Sequence, residues 1–182
     1  NGVKLYTGLA AEAFEEEGKV VVLENGERLE SDITLMSVGV KPETTVALTA
    51  GVETGVRGGI LVDENYETSQ KDIYAVGDAI VVKQQINGED TMIALAAPAN
   101  RQGRQVADVI SGLSRKNKGS IGTAIVRVFN QVAASTGLNE RQLKSANETF
   151  EIVHIQGKSH AGYYPNAGTI LLKVLFNPEN GK

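Results

Sequence analysis

Cysteine is missing from all 182 residues. Its absence excludes disulfides, a thiol nucleophile within this segment and any cysteine-ligated metal site. Histidine is nearly missing too. His154 and His160 lie apart from acidic clusters, so no metal motif is expected. No apolar run approaches the roughly 18 residues needed to cross a bilayer. No leader-like pattern opens the chain. A cytoplasmic protein without a membrane partner is therefore expected. An excess of positive charge is lacking: 18 Lys and Arg stand against 22 Asp and Glu, a net charge of -4. That balance disfavours nucleic acid and anionic membranes as partners. The one basic cluster, Arg115–Lys118, lies in a polar loop and reads as a solvated connection. Phosphate loops are also absent, with neither G-x-G-x-x-G before a helix nor G-x-x-x-x-G-K-[ST].

What is present is ordinary globular material, 41% hydrophobic and 22% charged, enough for one large or two small domains. Asn1-Gly2 leads at once into a strand-like run, Val3–Tyr6. At the other end a strong strand, Thr169–Asn177, meets the hairpin-turn pair Asn180-Gly181 with no partner strand after it. This pattern predicts a fragment; a short protein ending in a polar tail is the alternative.

Along the chain, Ala13-Phe14 and Val20–Leu23 read as strands, and Asn25-Gly26 as a hairpin turn to Glu27–Leu29. Ile33–Val38 is a compact apolar run, expected as a central parallel strand buried on both faces. Glu43–Ala50 predicts a short helix ended by Gly51, and Gly55–Gly59 a crossover between domains. Ile60–Val62 is a brief strand. Ile73, Ala75 and Val76 predict a short buried strand running into Gly77-Asp78. Glycine admits close approach of main chain to a ligand. The adjacent carboxylate is acceptor-only and suits the hydroxyls of a sugar or sugar alcohol. A lone Gly-Asp also occurs in plain turns, and that reading stays open here.

Asn87-Gly88 marks a further turn, and Pro98 the first turn of a helix with Val106, Val109, Ile110 and Leu113 on a buried face. The start of that helix carries free N–H groups and partial positive charge, close enough in sequence to face the same ligand as Asp78. From Gly119 onward the pattern changes to three strands, Ala124–Phe129, Phe150–Ile155 and Ile170–Phe176, with one short helix capped by Asn139. Strands joined by turns predict an antiparallel sheet in a separate α+β domain.

Five motifs in order carry a family resemblance. They are Leu35-Met-Ser-Val-Gly-Val-Lys-Pro42, Ile73-Tyr-Ala-Val-Gly-Asp78, Leu95-Ala-Ala-Pro-Ala-Asn-Arg-Gln-Gly-Arg104, Gly122-Thr-Ala-Ile-Val-Arg-Val-Phe129 and His160-Ala-Gly-Tyr-Tyr-Pro165. The chain resembles the FAD-dependent pyridine nucleotide-disulfide oxidoreductases, within them the branch of coenzyme A-disulfide reductases, NADH oxidases and NADH peroxidases. The resemblance implies α/β nucleotide-binding segments followed by an α+β dimerisation domain with an antiparallel sheet. It assigns residues 1–45 to the end of an NAD(P)H domain, 46–118 to the second segment of an FAD domain and 119–182 to a truncated dimerisation domain. The first FAD loop, the NAD(P)H loop and the redox cysteine of the family are not among the 182 residues.

By position, Gly77 and Asp78 match the pair that holds the ribityl and pyrophosphate region of FAD. Leu95, Ala96 and Ala97 match the backbone beside the isoalloxazine ring. Gly39 matches the glycine between the two nucleotide domains, near NAD(P)H, and equally a plain strand-ending turn. Tyr163 and Tyr164 match the tyrosine context that reaches across the dimer toward the partner's redox cysteine, where a phenol can donate a proton. Packing at a dimer interface is the equal alternative. His154 reads as structural, and His160 as shaping the tyrosine loop. The implied protein is a homodimeric flavoenzyme passing electrons from NAD(P)H through FAD to coenzyme A disulfide, or to peroxide or dioxygen. A non-catalytic dimerisation module is the reading from another class.

Overall fold

The computed structural model describes residues 2–182. The chain divides into two units, one ending at Val40 and the other covering Lys41–Lys182.

The first unit is a three-stranded antiparallel meander, β1 (Ala11–Glu15), β2 (Val20–Leu23) and β3 (Arg28–Glu30). The Val-Val-Val-Leu run forms the central strand and buries Val20 and Leu23, as β-branched residues on a pleated surface do. Gly26, at φ +82°, turns the chain between β2 and β3, as the Asn-Gly pair predicts. Two expected strands do not form. Val3–Tyr6 is irregular, and Ile33–Val38 pairs with no strand, with Ile33 86% and Leu35 87% exposed. A strand buried on both faces needs a neighbour on each side, and the only described strands of this unit pair among themselves.

The second unit opens with α1 (Thr45–Thr49), closed by Gly51 at φ +77°. A core of Val52, Ile60, Tyr66, Ile80 and Val82 follows. The expected strands at Ile60–Val62 and Ile73–Val76 reduce to isolated bridges, Ile60 parallel to Ile80 and Glu67 antiparallel to Tyr74. Ile60 also bridges Thr54 antiparallel, but each contact is one residue pair, too little for a continuous ladder. Tyr66 is 1% exposed at φ +67°, and its hydroxyl donates to Gln105 Oε1. Burial raises its pKa, against the lowering effect of Arg101. A small hairpin, β4 (Val82–Lys83) and β5 (Asp90–Thr91), turns at Asn87-Gly88.

Helix α2 (Ala96–Ile110) starts at Leu95 as N-cap, so Pro98 lies in its first turn, where a missing N–H costs nothing. Val106 packs against the core. Ile110 and Leu113 are exposed, contrary to the buried stripe expected from their spacing. The periodicity is real, but the core this segment provides reaches only the first part of the helix. No helix among the described residues is long and apolar enough to cross a membrane.

The remainder contains β6 (Ala124–Val128), β7 (Gln131–Ser135), α3 (Glu140–Ser145), β8 (Glu151–Lys158) and β9 (Thr169–Phe176). Strand β7 escapes a sequence reading because Gln-Val-Ala-Ala-Ser lacks β-branched or aromatic weight. Instead of one sheet there are two antiparallel hairpins, β6–β7 and β8–β9. Residues of β7 and β9 both border an open cavity of about 1160 Å³, together with α3 and Met92–Leu95.

Asn139 caps α3 through a reciprocal pair: Gln142 N–H donates to Asn139 Oδ1, and Asn139 N–H donates to Gln142 Oε1. Glu140 accepts from Lys144 Nζ and Lys173 Nζ, each at 2.6 Å, which ties α3 to β9. The hydrogen bond from Lys144, then that from Lys173, lowers its pKa from 4.5 to about 2. A carboxylate depressed in the folded state contributes its stability above the unfolded pKa and loses it as pH falls through the folded one. The contribution should therefore fade between pH 4.5 and about 2. In an NMR titration the Glu140 carboxyl should show a midpoint near 2, and Glu140→Gln should remove that part of the acid-side stability loss. A midpoint near 4.5 would show that the two lysines do not hold it in solution.

Candidate functional site

The site is built where the core meets α2. The backbone rises through Ala75, whose N–H donates to the Tyr66 carbonyl. It leaves through Ala79, whose carbonyl accepts from Ile60 N–H at 2.8 Å. Between these anchors Gly77–Ala79 forms a single 3₁₀ turn. Gly77 sits at φ +85°, a left-handed conformation that L side chains rarely adopt. A Cβ placed there would lie 3.8 Å from Ala99 Cβ, so the turn packs on the first turn of α2. One hydrogen bond fixes it to the helix: Gly77 N–H donates to Gln102 Oε1 at 2.7 Å. Sequence reasoning passed over Gln102; its place on the same helical stripe as Val106 was the available signal.

Asp78 follows directly, exposed, and its carboxylate has no hydrogen-bond partner among the described residues. Ala96 and Ala97 open α2, and no side chain caps their amides. The first amides of a helix have no partner within it and carry the positive end of the dipole. Leu95 is half-buried on the rim of the cavity, which none of Gly77, Asp78, Ala96 and Ala97 lines. The structure thus brings Gly77 and Asp78 to the start of α2. An acceptor-only carboxylate, a bare glycine Cα and free helix amides form a donor and acceptor set that fits a polyol bearing an anionic group. Gly77 N–H is already spent on Gln102, so Gly77 offers a ligand close approach and no amide.

The other candidates fall on other segments of the chain. Gly39 belongs to the first unit, at φ +83° with nothing within 4 Å of a notional Cβ. Tyr163 and Tyr164 lie in the loop joining β8 to β9, 84% and 59% exposed, with ring centroids 4.8 Å apart. His160 spans the base of that loop. Its Nδ1 lies 3.1 Å from Ser159 Oγ and its Nε2 3.2 Å from the Pro165 carbonyl. Ser159 Oγ also accepts from Gly168 N–H at 3.0 Å, which closes the loop. His154 faces Lys173 across the β8–β9 pair, on an exposed strand. No cluster of His, Cys, Asp and Glu able to hold a metal exists among the described residues.

Comparison with known proteins shows what the chain is similar to. The chain is 30% identical over 166 residues to coenzyme A disulfide reductase of Staphylococcus epidermidis, covering 91% of this chain and 37% of that protein. It is 30% identical to NADH oxidase of Methanocaldococcus jannaschii over all of its own length and 40% of that protein. Among solved structures, reduced CoADR-RHD of Bacillus anthracis is 48% identical, with a TM-score of 0.86 over 93% of this chain and 30% of that one. The chain therefore spans about 36–40% of the length of the curated relatives it matches. Residues 1–103 match the family described as pyridine nucleotide-disulphide oxidoreductase, and the chain belongs to that family.

Proposed function

We propose that the chain is the flavin-supporting and C-terminal part of an FAD-dependent NAD(P)H oxidoreductase that reduces a small-molecule disulfide, with coenzyme A disulfide the preferred acceptor. The family uses FAD and NAD(P)H, and similar proteins are named for coenzyme A disulfide reduction and NADH oxidation. The observation that carries the reading is the Gly77–Asp78 turn hydrogen-bonded onto the first turns of α2.

FAD, when bound, supplies the two-electron chemistry between nicotinamide and acceptor. The residues of this chain bind and orient. Asp78 accepts hydrogen bonds from the ribityl hydroxyls. Gly77 keeps the backbone clear of a side chain where the ligand approaches. Ala96 and Ala97 present amides at the positive helix end, which favours negative charge on the ring system. Leu95 adds an apolar edge. Gly39 marks the approach to the nicotinamide nucleotide in the preceding domain. Residues 1–45, 46–118 and 119–182 take the roles of NAD(P)H-domain end, FAD-domain segment and dimerisation domain.

Tyr163 and Tyr164 serve the acceptor end in a homodimer. Their exposure and tilted ring-to-ring contact suit a phenol that crosses to a partner subunit and donates a proton to a leaving thiolate. His160 holds the loop in shape from both sides. The 182-residue segment by itself is expected to be inactive and to bind FAD poorly.

The full-length natural protein tests the reading. It should be isolated yellow and should oxidise NADH or NADPH with coenzyme A disulfide faster than with peroxide or dioxygen. Preference for dioxygen would move it to the oxidase reading that the M. jannaschii relative favours. A colourless dimer that takes up no FAD would leave only the dimerisation-module reading. Tyr163→Phe should lower disulfide turnover by roughly 100-fold while flavin reduction by NAD(P)H is unchanged. Full turnover in both Tyr163→Phe and Tyr164→Phe would remove the tyrosines from the chemistry.

A further inference from the structure

Two polar side chains are buried among the described residues, Gln84 and Gln102. Gln84 lies on the β4 side of the unit, where its Oε1 accepts from Ile86 N–H. Gln102 is different. It sits on α2, 6% exposed, and spends its oxygen on a backbone amide 25 residues away. That amide belongs to Gly77, the residue before Asp78.

The local bonding makes this contact decisive. On one flank Ala75 N–H is held by Tyr66. On the other the Ala79 carbonyl is held by Ile60. Among the described residues, 76–78 make no backbone bond to the rest of the fold. The turn's own bond, from Ile80 N–H to the Gly77 carbonyl, is long at 3.4 Å. Among the described residues, the 2.7 Å bond to Gln102 is thus the one polar tie between the turn that carries Asp78 and the helix whose start has no side-chain cap. A partly buried N–H left without an acceptor is costly, so loss of Gln102 Oε1 drives the half-buried Gly77 N–H toward water and takes Asp78 with it.

We propose that Gln102 is a positioning residue which, through Gly77, sets the spacing between the Asp78 carboxylate and the start of α2 and thereby the affinity for FAD. The proposal rests on the flavoprotein reading above. It assigns no contact between Gln102 and the cofactor itself.

The test uses the full-length natural protein, FAD titration by flavin fluorescence, and the absorption spectrum of the bound flavin. Gln102→Met keeps the volume and removes the strong acceptor. It should weaken FAD binding by about tenfold and change the bound spectrum. Gln102→Glu restores an acceptor at the same reach and should recover most of the affinity. Val106→Ala, one turn along the same helix and packed on the core, should lower the melting temperature and leave the FAD dissociation constant unchanged. Wild-type affinity in Gln102→Met, an equal loss in Val106→Ala, or no recovery in Gln102→Glu would overturn the proposal. If Gln102→Met does not fold, Gln102→Asn, which withdraws the amide by one methylene, takes its place: weaker binding supports the proposal and unchanged binding overturns it. Asp78→Asn separates the two levels. If it weakens FAD binding while Gln102→Met does not, only the positioning role fails. If neither variant affects FAD, the flavin site itself is misplaced.

Discussion

Gly119→Ala should destabilise the protein by roughly 3–5 kcal/mol, the sum of left-handed backbone strain and overpacking against main chain. Gly119 sits at φ +72°, and a Cβ there would fall 2.1 Å from the Lys83 carbonyl oxygen. That oxygen cannot yield, because it accepts from Ser120 N–H at 2.9 Å. Around it the segment is laced onto β4: Gln84 bridges Ser120 in parallel, Gln85 N–H donates to the Ser120 carbonyl, and Gln85 Nε2 donates to the Lys118 carbonyl. Alanine would have to displace this lacing as well as adopt the strained φ. Gly58→Ala is the matched control. Gly58 has a similar φ of +76° but nothing within 4 Å of a notional Cβ, so it should cost only about 1–2 kcal/mol of backbone strain. Denaturant titration of the two variants in the full-length protein measures the difference. Equal losses would mean that the close approach of residue 119 to β4 does not persist in solution.

The contrast between these two glycines shows what a sequence can and cannot display. Asn25-Gly26 and Asn87-Gly88 announce their turns, because the chemistry of a turn is local. The same holds for the Asn139 and Gln142 cap of α3 and for the Gly51 stop after α1. Nothing within a few residues of Gly119 marks it, since its requirement comes from a carbonyl 36 positions earlier. The strands divide in the same way. β2, β8 and β9 carry dense β-branched or aliphatic runs and find a partner nearby. Ile33–Val38 carries an equally strong run and stays unpaired, because a central parallel strand depends on neighbours that the described strands of its unit do not supply. The Gly77-Asp78 turn and the start of α2, which the structure packs together, were each legible by residue type. Gln102 was not, because a buried glutamine and a solvated one are written alike, and only the fold shows that its oxygen meets Gly77 N–H.

Asp78→Ala should weaken FAD binding in the full-length protein by roughly 10- to 100-fold, the effect of deleting one charged hydrogen-bond acceptor. The prediction is clean because the folded chain asks little else of this side chain. Asp78 is exposed and its carboxylate meets no other described residue. Its removal should therefore leave the melting temperature of the cofactor-free protein nearly unchanged, within the roughly 0.5 kcal/mol range of surface substitutions. The carboxylate sits on a turn tied to α2 through Gly77 and Gln102, and the helix start carries no side-chain cap. Asp78→Asn retains the size and one acceptor oxygen but loses the charge, so it should fall between wild type and alanine. Flavin fluorescence titration gives the dissociation constants, and circular dichroism of the cofactor-free variants checks the fold. An Asp78→Ala protein that binds FAD as tightly as wild type would assign the polyol-binding acceptor to another residue. It would also leave the Gly77–Asp78 turn as a structural corner of the core.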